Sequence, residues 1–339
     1  MQSFAFWYKG LNSTITVEAK LNFNLWANCD FQTDNDTFLD IGILTKNTKN
    51  IKKLFFFVPF SVSSSNIEDL GCKLKEKLPS ALFNENLSAK SVQNKLIPLE
   101  NDKDSSKNFY VYTLKDEIHI NEGFDKTVFD NGTILSINLF DEKIQKGLFS
   151  NLETGKDNIY FRFRIKNVDF KEILCSFEPK TKSLQNYFNS TYTIDFRFNN
   201  KRSLGDNLLQ KISLYDKYKI ESVHFLLITK TSANLLTTEN CSPRKLEKDI
   251  WNEYIGSDNT DNLIAYHYKK SFKDKDKVIY NNDNDSVDFF IKYNIEKSVF
   301  CKYFWITILI GAIGSIFGNI IWSIPSWIVK IIQFIQPKC

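Results

Sequence analysis

From Tyr303 to Val329 the chain carries no charged residue, reading YFWITILIGAIGSIFGNIIWSIPSWIV. A bilayer core of about 30 Å needs roughly 20 apolar residues in a helix. Tyr303 to Trp322 spans about 28 Å at ~1.5 Å rise per residue. Tyr303 and Trp305 bracket one end of that distance, and Trp322 and Trp327 the other, where amphipathic rings settle among lipid headgroups. The sequence therefore predicts a single-pass transmembrane helix within 298–339, ended or kinked at Pro325. Past Pro325, Trp327, Ile328, Ile331, Ile332 and Ile335 recur at helical spacing around Lys330 and Gln333, the pattern of a short amphipathic segment lying in the interface. Two full spans would need roughly 40 residues, more than this stretch supplies, so one span plus an interfacial segment is expected rather than a hairpin.

The glycines inside this run are ordered. Thr307, Gly311, Gly314, Ser315 and Gly318 fall at steps of three and four, and Gly314 with Gly318 forms G-x-x-x-G. Lipid tails supply no hydrophobic drive between helices, so close approach over small residues is the usual source of association. Asn319, four residues past Ser315, adds an interhelical hydrogen-bonding group worth about 1 kcal/mol or less. A homo-oligomer in the lipid bilayer is expected.

Lysines 292, 297 and 302 precede the span and 330 and 338 follow it, a slight charge bias. The N-terminal MQSFAFWYKG has no basic region followed by an apolar one, so no signal peptide is read there. Six cysteines show no C-x-x-C and no metal-ligand spacing. Together these place the N-terminal part in the cytosol with reduced thiols, at the inner membrane if the source is bacterial.

Ahead of the tail, period-two alternation dominates. Ile15, Val17, Ala19, Leu21, Phe23 and Leu25 alternate with polar neighbours, as in a half-buried strand. Strands are also expected at 39–44, 54–62 (with Pro59 at an edge or bend), 109–114, 133–139, 223–229, around 263–268 and at 287–295. In IYFRFRI, Ile159, Phe161, Phe163 and Ile165 face away from Tyr160, Arg162 and Arg164; in YTIDFRF, Tyr192, Ile194, Phe196 and Phe198 face away from Asp195 and Arg197. Helices are expected after Ser65 or Asn66, over 203–215, and over 242–255 with Ser242 as cap and Pro243 at the first helical position; 96–108 is expected to be a polar loop. The fold class is α+β, a strand-rich soluble region followed by the transmembrane helix. Three regions are expected: a strand-rich N-terminal domain over 1–150, an α+β domain over 151–297, and the membrane segment over 298–339.

Chemistry is sparsely signalled. A net charge of +4 gives no case for binding nucleic acid through bulk electrostatics. The chain contains no phosphate-cradling glycine loop, no nucleophile elbow and no H-E-x-x-H, and no cofactor or metal is indicated. His119, His224 and His267 are far apart, and His224, in the apolar run VHFLLIT, reads as a structural histidine. Asp169, Glu178 and Lys180 loosely resemble a D…E-x-K metal site, but Pro179 interrupts the strand such a site needs. The better candidates are Arg162, Arg164, Arg197 and Arg202, four of only five arginines. If their two strands pair, the guanidiniums form a basic patch suited to an anionic small ligand or protein partner. Asp195 neutralising Arg197 is the structural alternative.

The leading functional expectation is a membrane-anchored sensor or effector, with a ligand-binding cytosolic part and a self-associating tail that perturbs the membrane. In layout alone it is similar to bacterial membrane-acting effectors of antiviral defence. A membrane-anchored enzyme acting on lipid or nucleotide, or a passive membrane scaffold, are the alternatives.

Overall fold

The computed structural model describes residues 2–12, 15–29, 31, 37–92, 95–114, 118, 123–139, 157–177, 189–237, 241–257, 260–272, 286–296 and 300–335; within the last range the described side chains are 304–320, 322, 328, 330, 331 and 333. In chain order the elements are β1 (Ala5–Gly10), β2 (Glu18–Trp26), β3 (Phe38–Lys46), β4 (Ile51–Val58), β5 (Ile67–Asp69), α1 (Leu78–Phe83), β6 (Leu87–Ala89), β7 (Leu96–Asn101) and β8 (Phe109–Tyr112). There follow β9 (Phe124–Phe129), β10 (Gly132–Asn138), β11 (Ile159–Lys166), β12 (Leu174–Phe177), β13 (Asn189–Phe198), α2 (Asp206–Ser213) and β14 (Lys219–Lys230). The rest are β15 (Asn234–Leu235), β16 (Ser242–Lys245), α3 (Lys248–Ile255), β17 (Leu263–Ser271), β18 (Val287–Glu296) and α4 (Phe300–Ile335). Two units result: Met1–Phe177 with Thr191–Ile295, and Glu178–Ser190 with Glu296–Cys339.

The first unit is a β-sandwich. Its large sheet runs β16-β17-β14-β2-β3-β11-β8-β7-β6, with β5 sharing the far edge of β11 with β8. Two four-stranded sheets, β1-β4-β10-β9 and β12-β13-β18-β15, pack on one face of it. A bridge between Phe4 and Phe198 links the two small sheets. The alternation read in the sequence sends one side of every central strand into this core: Leu21 and Phe23 from β2, Ile41 and Ile43 from β3, Phe161 and Phe163 from β11, Val223 and Phe225 from β14. Phenylalanine and isoleucine fill it in equal measure, and the flat rings bridge the gap between twisted sheets while burying a large apolar area. Phe23 meets Phe196 at 4.7 Å between ring centroids, Phe196 meets Phe225 at 4.7 Å, and Phe4 meets Phe23 at 5.5 Å. Helix α2 covers the outer side of the β1-β4-β10 sheet through Leu204 and Leu208.

The opposite face of the large sheet is only partly covered. Helices α1 and α3 close one part of it over Trp26 and Tyr160, α3 through its buried Trp251 and Tyr254, and the uncovered part becomes the site described below.

Several expectations are corrected. The helix expected after Ser65 is instead β5 between two 3-10 turns, because Ile67–Asp69 pairs with Phe163–Ile165. Gly71 then passes so close to Tyr112 that an added Cβ would lie 2.6 Å from its carbonyl oxygen. The supposed polar loop at 96–108 begins with β7, whose Leu96, Ile97 and Leu99 are buried. Residues 242–245 form β16 against β17, so α3 starts later, with Glu247 rather than Ser242 at its cap. Of the two readings of Pro59 the bend holds and the edge does not: it lies in a bend just past the end of β4, a central strand. The boundary expected near residue 150 lies outside the described residues, and strands from both sides of it share the large sheet.

In the second unit, α4 is one continuous helix of 36 residues through Pro325, which neither ends it nor separates off an interfacial segment. Its side chains are described without a break only from 304 to 320. Among the described residues no helix is long and apolar enough to cross a membrane.

Candidate functional site

The outer face of the large sheet carries the polar half of the alternation, and strand register sets it in rows. One row runs Lys269, His224, Asn22, Gly42, Arg162 across β17, β14, β2, β3 and β11; the next runs His267, Leu226, Asn24, Asp40, Arg164. The arginine end of these rows is buried and the histidine end is open.

At the buried end, Asp40 (0% exposed) holds Arg162 (0%) and Arg164 (4%). Arg164 donates from Nε to Asp40 Oδ1 at 2.6 Å and from Nη2 to Oδ2 at 3.1 Å. Trp26 Nε1 donates to the same carboxylate at 3.0 Å and the Tyr254 hydroxyl at 2.8 Å. Arg162 donates from Nε to Tyr254 (2.7 Å) and from Nη1 to Tyr160 (2.9 Å), while its Nη2 stands 3.7 Å from Asp40. Burial opposes both cationic charges, yet Asp40 and the phenol groups around Arg162 outweigh it and keep both guanidiniums protonated. Gly42 is required here: a Cβ would lie 2.0 Å from the Tyr160 hydroxyl that receives Arg162.

The four predicted arginines therefore do not converge. Strand β11 lies in the large sheet and β13 between β12 and β18, so the two never pair. Arg162 and Arg164 are internal fasteners. Arg197 donates to both oxygens of Asp195, at 2.9 and 2.6 Å, and to Ser203 Oγ at 2.8 Å, the structural alternative named for it. Arg202 is exposed in the 3-10 turn after β13.

At the open end lies a cleft of about 830 Å³. Its floor is Lys20, Asn22 and Asn24 of β2, Ser222, His224 and Leu226 of β14, and His267 and Lys269 of β17. Leu82 and Phe83 at the end of α1, with Phe109, Leu246 and Trp251, supply an apolar wall. The two histidines, 43 residues apart in the chain, stack with ring centroids 5.1 Å apart and share a hydrogen bond between Nδ1 of His224 and Nε2 of His267 at 2.9 Å. Ser222 Oγ lies 3.0 Å from the other nitrogen of His224. Burial, followed by His267, Lys269 and Lys20, pushes His224 down to about 4; burial and Lys269 also lower His267. Both rings are thus neutral near pH 7.

Charges around the histidines are unevenly paired. Lys20 and Lys46 both reach Glu221 and Lys46 also reaches Glu18; burial raises the Glu221 carboxyl, but its hydrogen bond with Glu18, followed by Lys46 and Lys20, holds it down at about 2. Across the cleft, Lys107 pairs with Glu85 and Arg244 with Glu247. Lys269 has no ion pair among the described residues. Asn24 is 1% exposed, and its side-chain NH2 finds no hydrogen-bond acceptor among the described residues.

The remaining sequence candidates are quickly placed. Asp169 is exposed and pairs with Lys171; Glu178, Lys180 and His119 lie outside the described residues. Among the described residues no group of His, Cys, Asp or Glu could hold a metal ion. On α4, a Cβ added at Gly311, Gly314 or Gly318 would meet nothing within 4 Å. Sequence reasoning missed the histidine cleft because its signal is modest: polar residues at alternate positions of strands whose pairing is not written locally. No protein-family model matches the chain, and no curated protein matches it in sequence.

Proposed function

We propose that the chain is a membrane-anchored recognition protein: α4 crosses the bilayer and self-associates, and the β-sandwich offers a ligand-binding cleft on the cytosolic side. The observation that carries this reading is the surface of α4. Phe304, Trp305, Ile308, Leu309, Ile310, Ile313, Ile316, Phe317 and Ile320 are all 45% or more exposed. At about 100° per residue these bulky side chains occupy roughly two thirds of the helix circumference. Water does not tolerate such a surface, and a helix apolar on nearly every side belongs in lipid or in a core.

The helix continues past its described side chains, and the sequence from Lys302 to Lys330 holds no other charge. That distance is about 42 Å at ~1.5 Å per residue, close to the ~40–45 Å of a bilayer with its headgroups. The remaining third of the circumference collects Thr307, Gly311, Gly314 and Gly318, with Ser315 and Asn319 just past its edge, an arrangement that supports self-association. Cys29, Cys72, Cys175 and Cys241 are free thiols, which suits a reducing compartment.

The test is extraction of membranes from cells making the full chain. Retention through an alkaline carbonate wash, with release by detergent, is the expected result. Release by carbonate alone would refute the span.

A further inference from the structure

We propose that the histidine cleft binds a phosphate monoester with an apolar or aromatic body, the phosphate lying among Lys269, Lys20 and the His224–His267 pair. The inference deepens the recognition reading of the sandwich and does not depend on how α4 behaves.

Three independent features converge on the cleft floor. The first is charge. Lys269 enters it with no ion pair among the described residues, and Lys20 is held only by a 3.3 Å contact to Glu221, which also receives Lys46. An anion placed between these lysines gains charge-assisted hydrogen bonds without first breaking a strong pair. The second is the orphaned amide of Asn24. A buried donor with no acceptor is unfavourable by ~1–3 kcal/mol, and this one lies in the floor of an open cleft. A ligand oxygen would relieve it. The third is the histidine pair, which is neutral and can take one proton when a dianion arrives while keeping the hydrogen bond between its rings. A phosphate near pH 7 favours that uptake, because an opposite charge raises the affinity of a neighbouring base for protons.

The wall fixes the rest of the ligand. Phe83 and Phe109 meet edge to face at 4.9 Å beside Leu82, Leu246 and Trp251. Such a surface suits a planar or aliphatic body, and a cleft of about 830 Å³ accommodates one the size of a nucleoside. Two sources carry this chemistry, a soluble nucleoside monophosphate and a phosphorylated lipid headgroup.

The experiment uses the full chain in nanodiscs and titrates inorganic phosphate, adenosine monophosphate, or phosphatidic acid included in the disc. Histidine ring proton shifts and calorimetry report binding, and flotation of the same discs reports membrane attachment separately. Saturable binding that moves the His224 and His267 signals supports the site. Lys269→Gln should weaken it about tenfold, the loss of one charge-assisted contact. Asn24→Leu should also weaken it while leaving thermal stability unchanged or higher, since it removes an unsatisfied donor; an amide with a purely structural role would instead lower stability. A response to phosphatidic acid alone assigns the lipid source, and a response to the nucleotide alone the soluble one. No binding of any of the three probes, or binding indifferent to both substitutions, overturns the proposal even if the protein floats with the discs.

Discussion

Replacing Asp40 by asparagine keeps the volume of the side chain and deletes one negative charge at a fully buried position. The carboxylate accepts from four donors: Trp26 Nε1, the Tyr254 hydroxyl, and Nε and Nη2 of Arg164. An amide keeps one acceptor oxygen, and its NH2 must then face one of those donors. Arg162 and Arg164, at 0% and 4% exposure, lose their shared counter-charge. Removing one partner of a buried ion pair costs ~3–5 kcal/mol, of which the charged hydrogen bond from Arg164 Nε, lost when the amide NH2 takes the Oδ1 position, accounts for ~1.5–3 kcal/mol. Against a typical total of ~5–15 kcal/mol, such a loss is a large fraction of the stability. With a urea slope of ~3 kcal/mol per molar, the unfolding midpoint should fall by about 1–1.7 M. Tryptophan fluorescence of the full chain in mild detergent measures it, and Trp26, bonded to Asp40, reports locally. A midpoint within about 0.3 M of wild type for Asp40→Asn would refute the argument.

Other consequences follow from the same geometry. Gly42→Ala forces Tyr160 away from Arg162 and should destabilise by ~1–3 kcal/mol, as overpacking does; an unchanged melting temperature would show that the ring can move freely. His224 titrates near 4 in the folded chain against its ordinary 6.5, mainly through burial. Above pH 6.5 both states are neutral and stability is complete; below it the unfolded chain binds the proton first, so about 3 kcal/mol is lost as pH falls to 4. The slope of unfolding free energy against pH should shrink in His224→Gln, and an unchanged slope assigns the dependence elsewhere. For α4, Gly314→Leu with Gly318→Leu should abolish the oligomer trapped by cross-linking in detergent.

How much of this was legible in the sequence depends on the range over which each property is set. The alternation in EAKLNFNLW and IYFRFRI determined both the strands and which side of each faces the core, because the period is a property of the backbone itself. The charge-free run from Tyr303 to Val329 likewise determined a long helix, apart from its passage through Pro325. Short segments were misread where local propensity lost to pairing: Ile67–Asp69 became a strand because Phe163–Ile165 offered it an edge, and Ser242–Lys245 because β17 did. The candidate site moved for the same reason. Arg162 and Arg164 looked like a surface patch until β3 brought Asp40 beside them, and α3 brought Tyr254 over them. His224 and His267 looked unrelated until antiparallel pairing of β14 with β17 set their rings together, and Lys20, Asn22 and Asn24 joined them only because β2 runs parallel to β14 across some 200 residues of chain. Side-chain period is local and can be read along the chain; strand order and register are set by burying one face of many strands at once, and only the tertiary structure decides them.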